Sequence, residues 1–300
     1  MNNAQADIGS AGAAAPFFSS KRRKKLVQIM MTLLILFIAL LMIVPFIWMI
    51  TSSFKLERDV MTIPIQWVPQ NPTVDNYKTI LHIDTAKKDY HFLLAYWNSI
   101  KVTVLATAIS VVTSAMAGYA FAKLKFKGAN ILFIIYLAQM MVPSQLTLIP
   151  RFVMFSSLEM TNTHFSIIAP KLIAVSATFM MRQAFLSVPN ELRESAMIDG
   201  AGEWRTWAQI MLPVVKPTVA ALATVQFLDN WNSYLDPLVF LSDWRLRTLP
   251  VALNQFVSEE GTKYNLVAAA CCLTVIPVFI LFLSGQKFFV KGLTVGSVKG

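Results

Sequence analysis

Residues 187–217 read SVPNELRESAMIDGAGEWRTWAQIMLPVVKP. This stretch is too charged to cross a bilayer, yet an apolar run adjoins it on each side. Pro189 near its start and Pro213 and Pro217 near its end bracket it, so the flanking membrane helices stop and restart there. Within it, residues 193–199 have helical composition, Gly200 permits a sharp bend, and residues 201–211 form a second short helix. Two short amphipathic helices joined at a glycine beside a membrane make a docking surface.

The chain around this stretch has 300 residues, 56% hydrophobic and only 14% charged, with a mean hydropathy of +0.56. Soluble domains are nearer a quarter charged, so this is the composition of a membrane protein. The net charge of +10 does not point to nucleic acid, because most basic residues flank apolar runs. Cys271 and Cys272 are adjacent within an apolar run and read as small packing residues. His82, His91 and His164 are scattered without metal-ligand spacing, and no catalytic constellation or metal site is expected. There is no G-x-x-x-x-G-K-[ST] motif, so this chain does not supply an ATPase of its own.

The expected fold is all-α and integral to the membrane, with six spans at about 26–50, 98–122, 131–149, 164–186, 218–238 and 264–284. Residues 1–25 read as a disordered, basic tail, 26–287 as the membrane domain, and 288–300 as an extended C-terminal tail. The first run is too long for the core of a signal peptide and reads as an uncleaved helix. The basic block 21–25, then Lys123, Lys125 and Lys127, then Arg182, Arg193, Arg205 and Lys216, then Lys287, Lys291 and Lys299 lie in the shorter connecting segments. That bias places both termini and residues 187–217, between helices four and five, in the cytoplasm.

Three further features point inward. In the second span, Ser110, Ser114, Gly118 and Ala122 recur every fourth residue, a small-residue face for close helix packing, within the chain ahead of a dimer seam. The third contains Gln139, Pro143 and Gln145; Pro143 kinks it, and intramembrane amides face the bundle or a wet cavity. The fifth carries Asp229, Asn230, Trp231, Asn232 and Asp236 in its outer half. Gln139, Gln145, Asn230, Trp231 and Asn232 are the candidates for lining a solute pathway, against the alternative of helix–helix hydrogen bonding.

As a pattern, the opening stretch gives Glu194-Ser195-Ala196, three residues, Gly200, nine residues, then Ile210, Met211, Leu212 and Pro213. This resembles the EAA loop of the inner-membrane permease subunits of ABC importers: Glu-Ala-Ala, three residues, Gly, nine residues, Ile-x-Leu-Pro. Asp199 and Ala201 fit the fuller motif, and Ser195 stands where the family has its first alanine. Trp67, Pro69, Pro72, Thr73, Asn76 and Tyr77 resemble the outer-loop signature of the carbohydrate-uptake branch, of the maltose-permease second-subunit type. Residues 118–123, Trp231-Asn232 and the ending 292–300 are similar to the same subfamily.

The resemblance implies a permease subunit in a bacterial cytoplasmic membrane, paired with a homologous sister permease as a heterodimer. It implies two ABC ATPase subunits that bind ATP and Mg, and an extracytoplasmic solute-binding protein. The solute would be a carbohydrate, whose hydroxyls and ring faces suit amides and an indole. Glu194, Ser195, Ala196, Asp199, Gly200, Ala201, Ile210, Leu212 and Pro213 would then couple this chain to the ATPase, with Ala196, Met197, Ile198, Ala201 and Trp204 seated in its groove and Arg193 and Arg205 at the edge. In this reading Gly200 matters because a side chain at the bend would hold the two short helices apart. The alternative from another class is a secondary transporter for a small polar solute. That would need its own coupling-ion site in two repeated halves; Asp229 is the one acid well inside the expected spans, and no internal repeat is evident.

Overall fold

The computed structural model describes residues 20–83, 90–258 and 261–294. The expected disorder of residues 1–19 and the last six residues of the expected C-terminal tail lie outside these. The chain divides into two units, Met1–Met49 and Ile50–Gly300.

The first unit is helical where it is described, within α1 (Ser20–Ser53). Its side chains from Lys24 to Ile47 are exposed and almost all apolar. A helix apolar on every face belongs in lipid. The basic block at 21–25 was expected in a tail, but it forms the first turns of α1. Lysine and arginine are good helix formers, and no Gly or Pro separates them from the apolar run.

The second unit begins with two short helices, α2 (Glu57–Val60) and α3 (Asp75–Ile80), followed by the 32-residue α4 (Phe92–Lys123). Asn76 of α3 is buried; its Nδ2 donates to the carbonyls of Ser53 and Lys55, each at 2.8 Å, and its Oδ1 accepts from Asn265 at 2.8 Å. This staple fixes the segment between α1 and α4 on the start of α15. Next come α5 (Ala129–Ala138), α6 (Ser144–Ser157), α7 (His164–Ile168) and α8 (Val175–Leu186). The chain continues through α9 (Glu191–Ile198), α10 (Glu203–Arg205), a π-helical turn over Thr206–Met211, and α11 (Leu212–Val214). It ends with α12 (Lys216–Trp231), α13 (Leu235–Phe240), α14 (Leu249–Ala252), a two-stranded antiparallel ribbon pairing Val257 with Thr262, and α15 (Tyr264–Thr294).

Among the described residues, Lys24–Ser53, Phe92–Lys123, His164–Leu186 and Tyr264–Gly285 are each long and apolar enough to cross a membrane. The number reaches six if two bent pairs each count as one span: Ala129–Met141 with Ser144–Ser157, turned by 99°, and Glu203–Val214 with Lys216–Trp231, turned by 83°.

Proline chemistry explains where the structure departs from the expected helices. The third span, expected to kink at Pro143 and run over 131–149, stops and turns. Val142 is extended at φ −87°, ψ 114°, as a residue before proline prefers, and Pro143 itself has ψ 131°. The helix then resumes through residues 150–157, which had read as loop. The fifth helix, expected over 218–238, starts at Lys216 with Pro217 in its first turn and ends at Trp231. The C-terminal segment from Phe288, expected to be extended, has a helical backbone to Thr294 because no proline follows Pro277.

The core of this unit forms where α4 meets α8 and α12. Ser110, Ser114 and Gly118 are buried on one face of α4. A Cβ built on Gly118 would sit 2.7 Å from Met181 Cβ and 2.8 Å from the Arg182 backbone nitrogen, so only glycine allows this approach to α8. Ala115, Tyr119, Met181, Phe185, Met211 and Leu222 pack around that contact. The small-residue face is therefore consumed inside this chain.

Candidate functional site: the 187–217 loop and a polar cavity

Residues 187–217 fold as a helical hairpin around Gly200. The Gly200 N–H donates to Met197 O at 3.1 Å and the Ala201 N–H to Ala196 O at 2.9 Å, the paired bonds of a Schellman helix end. Gly200 takes φ +81°, the left-handed conformation that this end requires. The reason Gly200 is needed differs from the one expected. A Cβ there would meet nothing within 4 Å, so the bend demands backbone freedom rather than space.

The loop splits into an inward and an outward face. Ala196 and Met211 are buried, and Ala201 is half-buried. Ile198 is 85% exposed and Trp204 69%, with Leu192 and Met197 also exposed. Glu194, Ser195 and Asp199 stand on the exposed side of α9 and its end. Ile210 and Leu212 are half-buried, and Pro213 is exposed. Pro213 has no N–H to give and crowds the carbonyl four residues back, and the preceding turn widens to π geometry.

Polar contacts lock the hairpin. The Arg193 guanidinium pairs with the Glu203 carboxylate across the Gly200 bend, with Nε 3.3 Å from Oε2. The Tyr119 hydroxyl of α4 donates to the same Oε2 at 2.8 Å. Lys123 Nζ donates to Val188 O at 2.6 Å and to Asn190 Oδ1 at 2.7 Å. Arg193 holds the Glu203 carboxyl below its ordinary range, helped by Tyr119 and opposed by burial. Glu203 in turn raises Arg193 further above its usual value. Arg193, expected at the edge of a docking face, is thus committed inside the loop, while Arg205 bonds Gln209 at 3.0 Å on the surface. The sequence marked Tyr119 and Lys123 only as part of the 118–123 signature and of a basic connecting segment, and Glu203 not at all, because their meeting with the loop requires α4 to be folded against it.

The second feature is an open cavity of about 900 Å³, lined by α6, the segment after α7, α8, α12 and α13. Gln139 and Asn232, both expected in a pathway, line it. Gln145 is exposed beside Ser144 and is not among the lining residues. Asn230 and Trp231 turn the other way. The Asn230 amide donates to Thr107 Oγ1 of α4 at 3.2 Å. Trp231 is 2% exposed, stacked on Phe227 and edge-on to Tyr96, with no ring face free for a solute. Helical phase accounts for the difference: Gln226, Asp229 and Ser233 share one face of α12 and its end, and 230 and 231 lie about 100° and 200° away.

Sequence reasoning placed Asp229 and Asp236 on the fifth span but missed their cationic partners in this cavity. Arg151 grips Asp236 with both terminal nitrogens, at 2.7 and 3.3 Å, and Lys171 pairs with Asp229 at 3.1 Å. Both pairs join residues far apart in sequence. The i, i+3, i+7 polar stripe on α12 was the one signal available. The arrangement offers a solute amides, hydroxyls and two already neutralised ion pairs.

Comparison with known proteins agrees with this architecture. Residues 110–295 match the family described as binding-protein-dependent transport system inner membrane component. The chain is 35% identical over 270 residues to the arabinooligosaccharides transport system permease protein AraQ of Halalkalibacterium halodurans, covering 88% of this chain and 94% of that protein. It is 31% identical over 261 residues to the lactose transport system permease protein LacG of Rhizobium radiobacter, covering 87% and 92%. Its fold matches a chain in the crystal structure of a bacterial ABC transporter involved in alginate import, with a TM-score of 0.79 at 23% identity over 92% of this chain and 100% of that one. By its sequence and its bundle of apolar helices, this chain belongs to the family of inner-membrane components of binding-protein-dependent transport systems, as a multi-pass transport subunit and not an enzyme.

Proposed function

We propose that this chain is one of two permease subunits of an ATP-driven importer for a carbohydrate-type solute. Residues 187–217 face the bacterial cytoplasm and dock on an ATPase subunit, both termini lie on that side, and the chain crosses the membrane lipid six times, the third crossing made by α5 with α6 and the fifth by the helix that follows the loop. The sister permease is a related but distinct chain. Two ATPase subunits bind ATP and Mg, and an extracytoplasmic solute-binding protein delivers the solute; no cofactor is held by this chain. Residues Glu194, Ser195, Ala196, Asp199, Gly200, Ala201, Ile210, Leu212 and Pro213 shape the docking loop, and Gln139 and Asn232 are the pathway candidates. The names of the arabinooligosaccharide and lactose relatives support the solute class.

The observation that carries this reading is the outward face of the loop. Ile198 and Trp204 are large apolar residues held exposed on a hairpin that is locked by Arg193–Glu203. A rigid apolar knob beside a membrane fits a groove in a partner, and rigidity lets the partner's movement reach the helices. Gly200→Asp places a charged group on that face while the chain still inserts. Co-purification of the ATPase should be lost and uptake abolished; ATPase recovered at the native yield would overturn the reading. A thermal-shift screen of the binding protein against neutral and acidic oligosaccharides identifies the solute.

A further inference from the structure

Helix α4 runs unbroken from Phe92 to Lys123 and contains no proline. At 32 residues it is about 48 Å long, well beyond the roughly 30 Å of a hydrocarbon core. Buried polar side chains clamp it at both ends. At the loop end, Tyr119 holds Glu203 and Lys123 holds Val188 O and Asn190, so both arms of the hairpin are attached to α4. At the other end, Asn98 Nδ2 donates to Arg245 O at 2.8 Å and to Arg247 O at 3.1 Å, and Ser99 Oγ accepts the Leu249 N–H at 2.7 Å. All four clamping side chains are less than a tenth exposed. Midway, Ser110 donates to Gln226 at 3.0 Å, and Gln226 lines the polar cavity.

We propose that α4 is a coupling rod. It carries displacement of the 187–217 loop past the cavity to the 245–249 segment at the opposite membrane face, and returns displacement of that segment to the loop. The loop is also joined through the chain to α8 and α12; in the span that contains α8, His164 of α7 bonds Leu246 O at 2.9 Å, but a 3-10 turn and the extended Ala174 interrupt that helix, whereas α4 is continuous. An unbroken helix without proline offers no sharp kink at which a displacement would be absorbed, so a push at Tyr119 and Lys123 is passed on to Asn98 and Ser99. ATP-driven movement is thereby reported to the face where solute arrives. The proposal rests on reading 187–217 as the ATPase docking loop.

The test uses the complete importer in nanodiscs, with Cys271→Ser and Cys272→Ser as background. One nitroxide goes on Ser187→Cys beside the loop and another, in a separate preparation, on Arg247→Cys. ATP with vanadate traps the ATPase, and the change in label mobility is read by electron paramagnetic resonance. Both labels should respond in the otherwise native complex. Tyr119→Phe keeps the ring packed edge-on against Phe185 and removes only the hydroxyl, and Lys123→Gln is added for the second clamp. In this variant the Ser187 label should still respond and the Arg247 response should be lost. A merely structural role for the clamps would leave the two labels changing together. A full Arg247 response in the variant overturns the rod. A silent Ser187 label in the otherwise native complex overturns the docking reading, and the rod with it. Should the double variant fail to assemble, Tyr119→Phe alone is judged by the same two labels.

Discussion

At Gly118 any side chain must push α4 away from α8, since its Cβ would lie 2.7 Å from one Cβ and 2.8 Å from a backbone nitrogen. Gly118→Val should destabilise the solubilised complex by at least the roughly 1–3 kcal/mol of ordinary overpacking, read as a lower Tm and less protein in the membrane. Gly200 responds to a different variable, the left-handed φ. Asn tolerates that region and a β-branched residue does not, so Gly200→Asn should keep the hairpin while Gly200→Val strains it by about 1–3 kcal/mol. Limited proteolysis of the loop distinguishes the two. Glu203 sets a pH dependence. Its carboxyl titrates below the ordinary range because of Arg193, so its contribution to the hairpin is complete above the ordinary carboxylate range and is lost as pH falls through the lowered value. Arg193→Leu removes the main cause of that lowering. ATPase dissociation on acidification should then begin at a higher pH than in the native complex, measured by pull-down across a pH series.

At the scale of elements, Pro143 determines the most consequential turn. It separates α5 from α6 by 99° and aims α6 so that Arg151 meets Asp236. Pro143→Ala restores a backbone N–H and lets the helix run on, which carries Arg151 away from its partner. Uptake should fall sharply while the protein still reaches the membrane, as checked by transport assay and immunoblot. This turn also shows what sequence makes legible. Hydropathy located the apolar runs, and the spacing from Glu194 through Gly200 to Pro213 located the hairpin, because both are local. Whether Pro143 kinks a helix or ends it depends on what α6 packs against, and that is not local. Two of the pathway candidates turn away from the cavity for a reason of the same kind. Asn230 and Trp231 are polar or amphipathic, but the helical phase of α12 sends them into the core, and Gln226 and Asp229 take the cavity face.

For the whole molecule, the second unit couples a locked hairpin, one long helix and a cavity with charged walls. The lining of that cavity contains two cations and two carboxylates, joined as Arg151–Asp236 and Lys171–Asp229. Its fixed charge therefore cancels, with an electrical consequence. A rearrangement that moves these walls through the membrane field transfers no net charge, so import of a neutral solute should proceed at the same rate whatever the membrane potential. Asp236→Asn leaves Arg151 uncompensated, and one elementary charge crossing the full field corresponds to about 2.3 kcal/mol per 100 mV. Proteoliposomes clamped with potassium and valinomycin compare the two: the native importer should be indifferent to voltage, and the variant should acquire a voltage-dependent rate.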